Sequence, residues 1–239
     1  MNNMKEEKRV SSGIPGFDKL IEGGFEEHSI NLIVGGSGSS KTIFSMQFIV
    51  EGLKKGESCL FITFEEKRGE FFKNMLEFGW DLEKYEKAGK FVFLEYSPEK
   101  VSSMLEEGGG AIESIVTKKN VKRMVLDSVS SFELLFEDES EKREKTLSLF
   151  DSIRNWGCTS LLTLEEMPEE VERGAAKSIA FEADSIILLH YKRSTKERKR
   201  FVEILKMRGT NHSTEIYTLE IKKSGAVIGT KAKDNELKK

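Results

Sequence analysis

Proline, cysteine, histidine and tryptophan are all scarce in this chain, and each scarcity narrows what the protein can be. Three prolines in 239 residues, with no long Ser/Gly/Pro tract, leave no obvious linker, so the length reads as one large α/β domain. Its expected extent is residues 11–230, between a polar segment, 1–10, and a disordered tail, 231–239. Two cysteines, Cys59 and Cys158, both in apolar strand-like stretches, are too few for a disulfide framework or a metal cluster and read as buried thiols in a reducing compartment. His28, His190 and His212 are scattered and outline no zinc site. The longest strongly apolar run, Ile186 to Leu189 with its flanks, is far too short to span a bilayer, and Met1 to Val10 has no signal-peptide core. A soluble cytoplasmic protein with no membrane partner is expected. Charge of one sign is missing too: 38 Lys and Arg face 41 Asp and Glu, which argues against a protein that coats nucleic acid.

What is present is organised around one stretch. The apolar run Ile30 to Val34 empties into Gly35-Gly36-Ser37-Gly38-Ser39-Ser40-Lys41-Thr42, and a helical pattern from Ile43 to Lys54 follows. A strand, a turn of small residues and a helix N-terminus in that order make a phosphate-binding loop, because backbone N–H groups and the new helix's unpaired donors converge on phosphate oxygens. The candidate nucleotide-binding set is Gly35, Gly36, Ser37, Gly38, Ser39, Ser40, Lys41, Thr42 and Ile43, with Lys41 on the β- and γ-phosphates of ATP and the Thr42 hydroxyl on Mg²⁺. Ser40 departs from the pattern G-x-x-x-x-G-K-[ST], where glycine stands before the lysine. Glycine stands in such loops where the backbone is strained or comes close to the ligand, and a Cβ there can cost ~1 kcal/mol or more.

Downstream, strands are expected at Ser58 to Phe64, Phe91 to Leu94, Arg123 to Ser128 and Thr159 to Leu164. Helical patterns lie between them: one through Phe71 to Phe78, one from Val101 to Val116 broken at Gly108-Gly109-Gly110, and one from about Lys142 to Trp156 after an acidic loop. Alternation of this kind gives βαβ units and a mainly parallel sheet flanked by helices. The last quarter changes: Ser185 to Tyr191, Phe201 to Met207 and Ile216 to Ile221 read as antiparallel strands at one sheet edge. Asp127 closes a strand, where such a residue holds Mg²⁺ through water, and Ser128 could bond the same hydration shell. Glu65 and Glu66 end the second strand, where a carboxylate can deprotonate the water that attacks a γ-phosphate. Glu165 and Glu166 are left unassigned.

Gly13-Ile14-Pro15-Gly16-Phe17-Asp18-Lys19-Leu20-Ile21-Glu22-Gly23-Gly24, the phosphate loop, Thr63-Phe64-Glu65-Glu66, Leu126-Asp127-Ser128 and Lys206-Met207-Arg208-Gly209-Thr210-Asn211-His212 together resemble the KaiC family of RecA-like ATPases. The resemblance covers roughly residues 10 to 229 in the family's order. It implies a RecA-like P-loop core that assembles into a homo-oligomeric ring, usually a hexamer, with ATP and Mg²⁺ between subunits. On that pattern Lys206 and Arg208 act in trans on the neighbour's γ-phosphate, and Met207, Thr210 and His212 lie near the same nucleotide. Clock-type members carry two such domains in tandem; this chain has room for one. The expected activity is slow ATP hydrolysis that drives a regulatory or assembly change, through a protein partner the motifs do not identify. Two other readings stay open. One is a nucleotide-binding scaffold with little turnover, suggested by Ser40. The other is an accessory protein for single-stranded DNA, suggested by the basic run Tyr191 to Arg200, whose default reading is a solvated hairpin tip.

Overall fold

The computed structural model describes residues 8–106, 110–172, 182–193 and 197–233. In chain order its strands and helices are Arg9–Val10 (β1), Phe25–Glu26 (β2), Ile30–Val34 (β3), Lys41–Lys54 (α1), Ser58–Thr63 (β4), Arg68–Leu76 (α2), Leu82–Lys87 (α3) and Phe91–Glu95 (β5). There follow Pro98–Glu106 (α4), Gly110–Lys119 (α5), Val121–Asp127 (β6), Val129–Glu133 (α6), Glu139–Trp156 (α7) and Thr159–Leu164 (β7). Pro168–Glu172 (α8), Ser185–Arg193 (β8), Arg198–Met207 (β9), Tyr217–Lys222 (β10) and Gly225–Lys231 (β11) complete the described chain.

The pleat sorts the apolar side chains into two layers. Along β3, Ile30, Leu32 and Val34 join one cluster and Ile33 joins the other, so this strand is covered on both faces. One layer takes Phe44 and Phe48 of α1, Phe71 and Phe72 of α2, and Phe17 and Phe25 of the N-terminal segment. Most of its ring pairs meet edge-on or tilted, as between Phe17 and Phe44 with centroids 5.1 Å apart, a geometry worth ~1 kcal/mol beyond area burial, while Phe61 and Phe93 stack. The other layer is mainly aliphatic and is closed by α4 to α7. Arg123 is buried in spite of its charge. Its Nε donates to Glu57 at 2.5 Å and its Nη1 to the carbonyls of Ser11 and Phe48, which offsets the cost of leaving water.

Among the described residues the main sheet runs β11-β10-β9-β8-β3-β7-β6-β4-β5. The expected α/β, RecA-like class holds, with β9 to β11 antiparallel at one edge. Ser185 to Tyr191 is a correction: β8 lies parallel to β3, with Asn31 beside Ser185 and Val34 beside Leu188. It is the last parallel strand, and its continuous apolar run reflects burial on both faces rather than an edge. The acidic stretch is also corrected in part. Glu139 and Glu141 form the first turn of α7, where carboxylates suit the positive end of the helix dipole, and Asp138 caps it through the N–H groups of Ser140 and Glu141. At the two ends, Arg9–Val10 pairs with β2 instead of standing apart, and Lys231 ends a strand. The Gly108-Gly109 break, the hairpin tip at 194–196 and the tail from 234 lie outside the described residues.

Candidate functional site

The loop between β3 and α1 has the shape its composition predicts. A Cβ on Gly35 would lie 2.5 Å from the Leu189 carbonyl oxygen and 2.5 Å from Ser39 Oγ, so only glycine lets the chain leave β3 here. Ser40 has φ 80° and ψ 31°, the left-handed conformation for which glycine is usually selected. The loop keeps its course with serine at that point, at a strain of ~1 kcal/mol. Ser40 makes no side-chain cap bond, so the N–H groups of the first turn of α1 face the loop. Lys41 folds back over it, with Nζ 2.8 Å from the Gly35 carbonyl oxygen.

Asp127, at the end of β6, is buried beneath this loop. Its Oδ2 accepts from Thr42 Oγ1 at 2.8 Å and its Oδ1 from Thr163 Oγ1 at 2.5 Å. Burial pushes its carboxyl above the usual range, against the pull of the two threonine bonds. Beyond β4, Thr63 Oγ1 accepts from the N–H groups of both Glu65 and Glu66, which turns the chain sharply and fixes where the two acids point. Glu65 Oε1 accepts from Ser128 Oγ at 3.1 Å and Ser131 Oγ at 2.5 Å. Glu66 is half-buried; burial, then the charges of Asp127, Glu65 and Glu70, raises its carboxyl above the normal value. Ser37, Gly38, Ser40 to Ile43, Glu65, Asp127 and Ser128 line one pocket of about 410 Å³ together with Glu165 and Arg200.

Four contributors were missed in the sequence. Thr163 stands beside Asp127 because β6 and β7 pair in parallel, Leu126 against Leu162; that neighbour becomes visible only once the register is known. Ser131 is one turn beyond Ser128, whose Oγ caps α6. Glu165 enters the pocket from the end of β7, and its N–H donates to Ser130 Oγ at 2.7 Å. Arg200 is the largest surprise. Its Nε donates to the Gly38 carbonyl at 3.0 Å and its guanidinium lies over the Tyr191 ring. Arg198 lies over the same ring, Lys192 pairs with Glu169 and Lys199 with Glu197. Much of the basic run is thus engaged within the chain, while Ser194, Thr195 and Lys196 lie outside the described residues.

The Lys206 to His212 segment is elsewhere. In the β8–β9 pair Arg193 faces Arg198 and Ser185 faces Met207, so this segment sits at the opposite end of the sheet from the phosphate loop of its own chain. Lys206 Nζ donates to the Ala183 carbonyl at 2.7 Å, and Arg208 Nη1 is 3.5 Å from Asp184 Oδ1. Burial and the neighbouring Arg208 lower the Lys206 pKa. Thr210 Oγ1 accepts from Arg9 Nη1 at 2.7 Å, and His212 Nδ1 is 3.0 Å from the Ser213 carbonyl. Met207 is buried in the core, so its side chain does not stand with the two cations.

A family model described as ATPase: KaiC matches residues 10–233. The circadian clock protein KaiC3 of Synechocystis sp. is 36% identical over 229 residues, 92% of this chain and 45% of that protein. A UPF0273 protein of Thermotoga maritima is 34% identical over 234 residues, 92% of this chain and 96% of that protein. This chain therefore spans less than half of the clock protein and nearly all of the other. The crystal structure of a KaiC-like protein from the archaeon Pyrococcus horikoshii OT3, 39% identical, matches with a TM-score of 0.82 over 93% of this chain and 99% of that one.

Proposed function

The chain belongs to the KaiC family of ATPases, and from that premise we propose that it hydrolyses ATP slowly at sites completed by a second subunit of a ring. The observation that carries this is the convergence of Lys41, Thr42, Asp127 and Glu65 on one pocket of about 410 Å³. Loop N–H groups and Lys41 hold the phosphates. Thr42 Oγ1 and the Asp127 carboxylate, 2.8 Å apart, are hard oxygen donors of the kind Mg²⁺ takes, and they would hold that ion. When bound, magnesium neutralises charge on the β- and γ-phosphate oxygens.

Two acids divide the remaining work. Glu65 is anchored by two serine hydroxyls and orients the attacking water. Glu66, with its raised proton affinity, is the base. The water oxygen bonds to the γ-phosphorus, the bond to the bridging oxygen breaks, and the water proton goes to Glu66, leaving ADP and phosphate. Arg200 steadies the loop at Gly38.

Lys206 and Arg208 are too remote to serve the nucleotide of their own chain, and this supports a trans role: they would neutralise charge on the phosphoryl group held by the adjacent subunit. An arginine supplied in this way is worth ~10³ to 10⁵ in rate. Such turnover would drive a change of assembly or of a regulatory partner.

A mixing experiment tests the reading. Lys41→Ala subunits keep the cations and lose the phosphate site, whereas Arg208→Ala subunits do the reverse. Each alone should be inactive with Mg²⁺ and ATP, and a mixture should regain turnover, with an ATP-stabilised oligomer seen by light scattering. A mixture no more active than its components rules out the shared site.

A further inference from the structure

We propose that Asp184 is a positioning residue that ties the trans-acting cations of each subunit to the strand carrying that subunit's own phosphate loop; this rests on the trans reading of Lys206 and Arg208. Asp184 immediately precedes β8 and is bonded twice to the first residue of β3. Its N–H donates to the Ile30 carbonyl at 2.8 Å, and its Oδ2 accepts from the Ile30 N–H at 2.8 Å. On its other side the Arg208 N–H donates to the Asp184 carbonyl at 2.9 Å, and Arg208 Nη1 reaches Oδ1 at 3.5 Å. Arg154 of α7 braces the same carboxylate from behind, 3.3 Å from Oδ2, and also donates to the Glu182 carbonyl. The residue next to Asp184, Ala183, accepts from Lys206 Nζ at 2.7 Å.

The arrangement is a fixed anchor with an exposed prong. The Asp184 side chain is 18% exposed and that of Arg208 is 53% exposed. Lys206 and Arg208 carry like charges and repel. A shielded carboxylate between them and the β3 strand lets both stay on one side without splaying. β3 leads directly to Gly35, so the strand that places one nucleotide also places the cations offered to the next site. An Asn side chain would keep one hydrogen-bond acceptor at this position but not the charge.

The test is a double-mutant cycle on ATP turnover with the full chain and Mg²⁺, using Asp184→Asn, Arg208→Ala and the double variant. Asp184→Asn should lower kcat ~5-fold, the scale of one partly exposed ion pair, with KM and binding of a fluorescent ATP analogue unchanged. In the Arg208→Ala background the same substitution should cost much less than ~5-fold, because the Asp184 carboxylate acts chiefly through Arg208, which it contacts directly. Independent, multiplicative losses would mean that Asp184 is merely structural, and a kcat equal to the parent's would likewise overturn the proposal. If Arg208→Ala itself turns over normally, the trans reading fails and takes this inference with it. If Arg208→Ala is impaired while Asp184→Asn is not, only the positioning role falls. Should Asp184→Asn not fold, as judged by its thermal melt, Asp184→Glu carries the same cycle: a loss that disappears without Arg208 supports the proposal, and one that persists rejects it.

Discussion

The two ends of the parallel sheet solve opposite problems. At the end where β3, β4, β6 and β7 deliver their last residues, polar groups are drawn inward: Asp127 is buried, Thr42 and Thr163 satisfy it, and Glu65 is tied to Ser128 and Ser131. At the other end Lys206 and Arg208 rest on a backbone carbonyl and a shielded carboxylate, with Arg208 facing solvent. The first end is held by its own side-chain hydrogen bonds and would be costly to rearrange, since a buried polar network is expensive when half satisfied. The second presents charge on a strand end, with Lys206 on the Ala183 carbonyl and Arg208 on Asp184. The contrast teaches that one strand framework can bury and satisfy its polar groups at one end while it holds paired cations toward solvent at the other; on the proposed shared site these would be two halves meeting across subunits.

The sharpest way to break the comparison is Arg208→Ala. It should lower kcat by ~10³-fold while leaving ATP binding to isolated chains intact by calorimetry. Equal losses in binding and turnover would mean the two ends are not separable. Glu66→Gln is expected to cost ~10²-fold in turnover and to leave the oligomer seen by light scattering unchanged, because it removes only the base. Ser40→Gly relieves a left-handed serine and should stabilise the nucleotide-free chain by ~1 kcal/mol, a rise of ~2–4 °C in melting temperature; an unchanged melt would mean that serine sits there without strain.

The smallest effect concerns protons. Burial raises Glu133 on α6 to about 7, against the pull of Lys142 and with smaller pushes from Glu139 and Glu166. A carboxyl whose folded value lies above its unfolded value weakens the fold as pH rises from about 4.5 through about 7, because the unfolded chain releases its proton first. Glu133→Gln should therefore melt higher than the parent at pH 8, with the gap closing by pH 4. A gap of equal size at both pH values would trace the gain to packing instead of charge.

Much of this was legible before any coordinates. The alternation of apolar runs and helical patterns gave β3 to β7 with α1, α2, the α4–α5 stretch and most of α7, since a strand covered on both faces must be apolar throughout; the short α3 and α6 were not foreseen. Gly35 to Thr42 announced the loop by small residues alone. The failures share one cause. Glu165 and Arg200 line the pocket, and Thr163 and Ser131 hold its carboxylates, through strand register and helix α6, and neither is written in local composition. β8 was misassigned to an edge for the same reason, because its parallel partner β3 is more than 150 residues earlier in the chain. Arg200 shows the limit most clearly. Within a run of lysines and arginines its sequence context is that of a solvated tip, yet the hairpin geometry turns it onto Gly38.

Met207, the last residue of β9, is buried between Lys206 in the strand and Arg208 just beyond it, and the three form a fork: a handle in the core and two prongs turned away from it. The pairing of β8 with β9 already contains an irregularity between Ile186 and Ile187. A single residue added or deleted within β9 just before Met207 would turn the fork over, driving the charges toward the core and the methionine outward. Length in this short stretch is thus a constraint of its own: replacing Lys206 or Arg208 leaves the alternation of sides unchanged, whereas an insertion there is a frame error written in three dimensions.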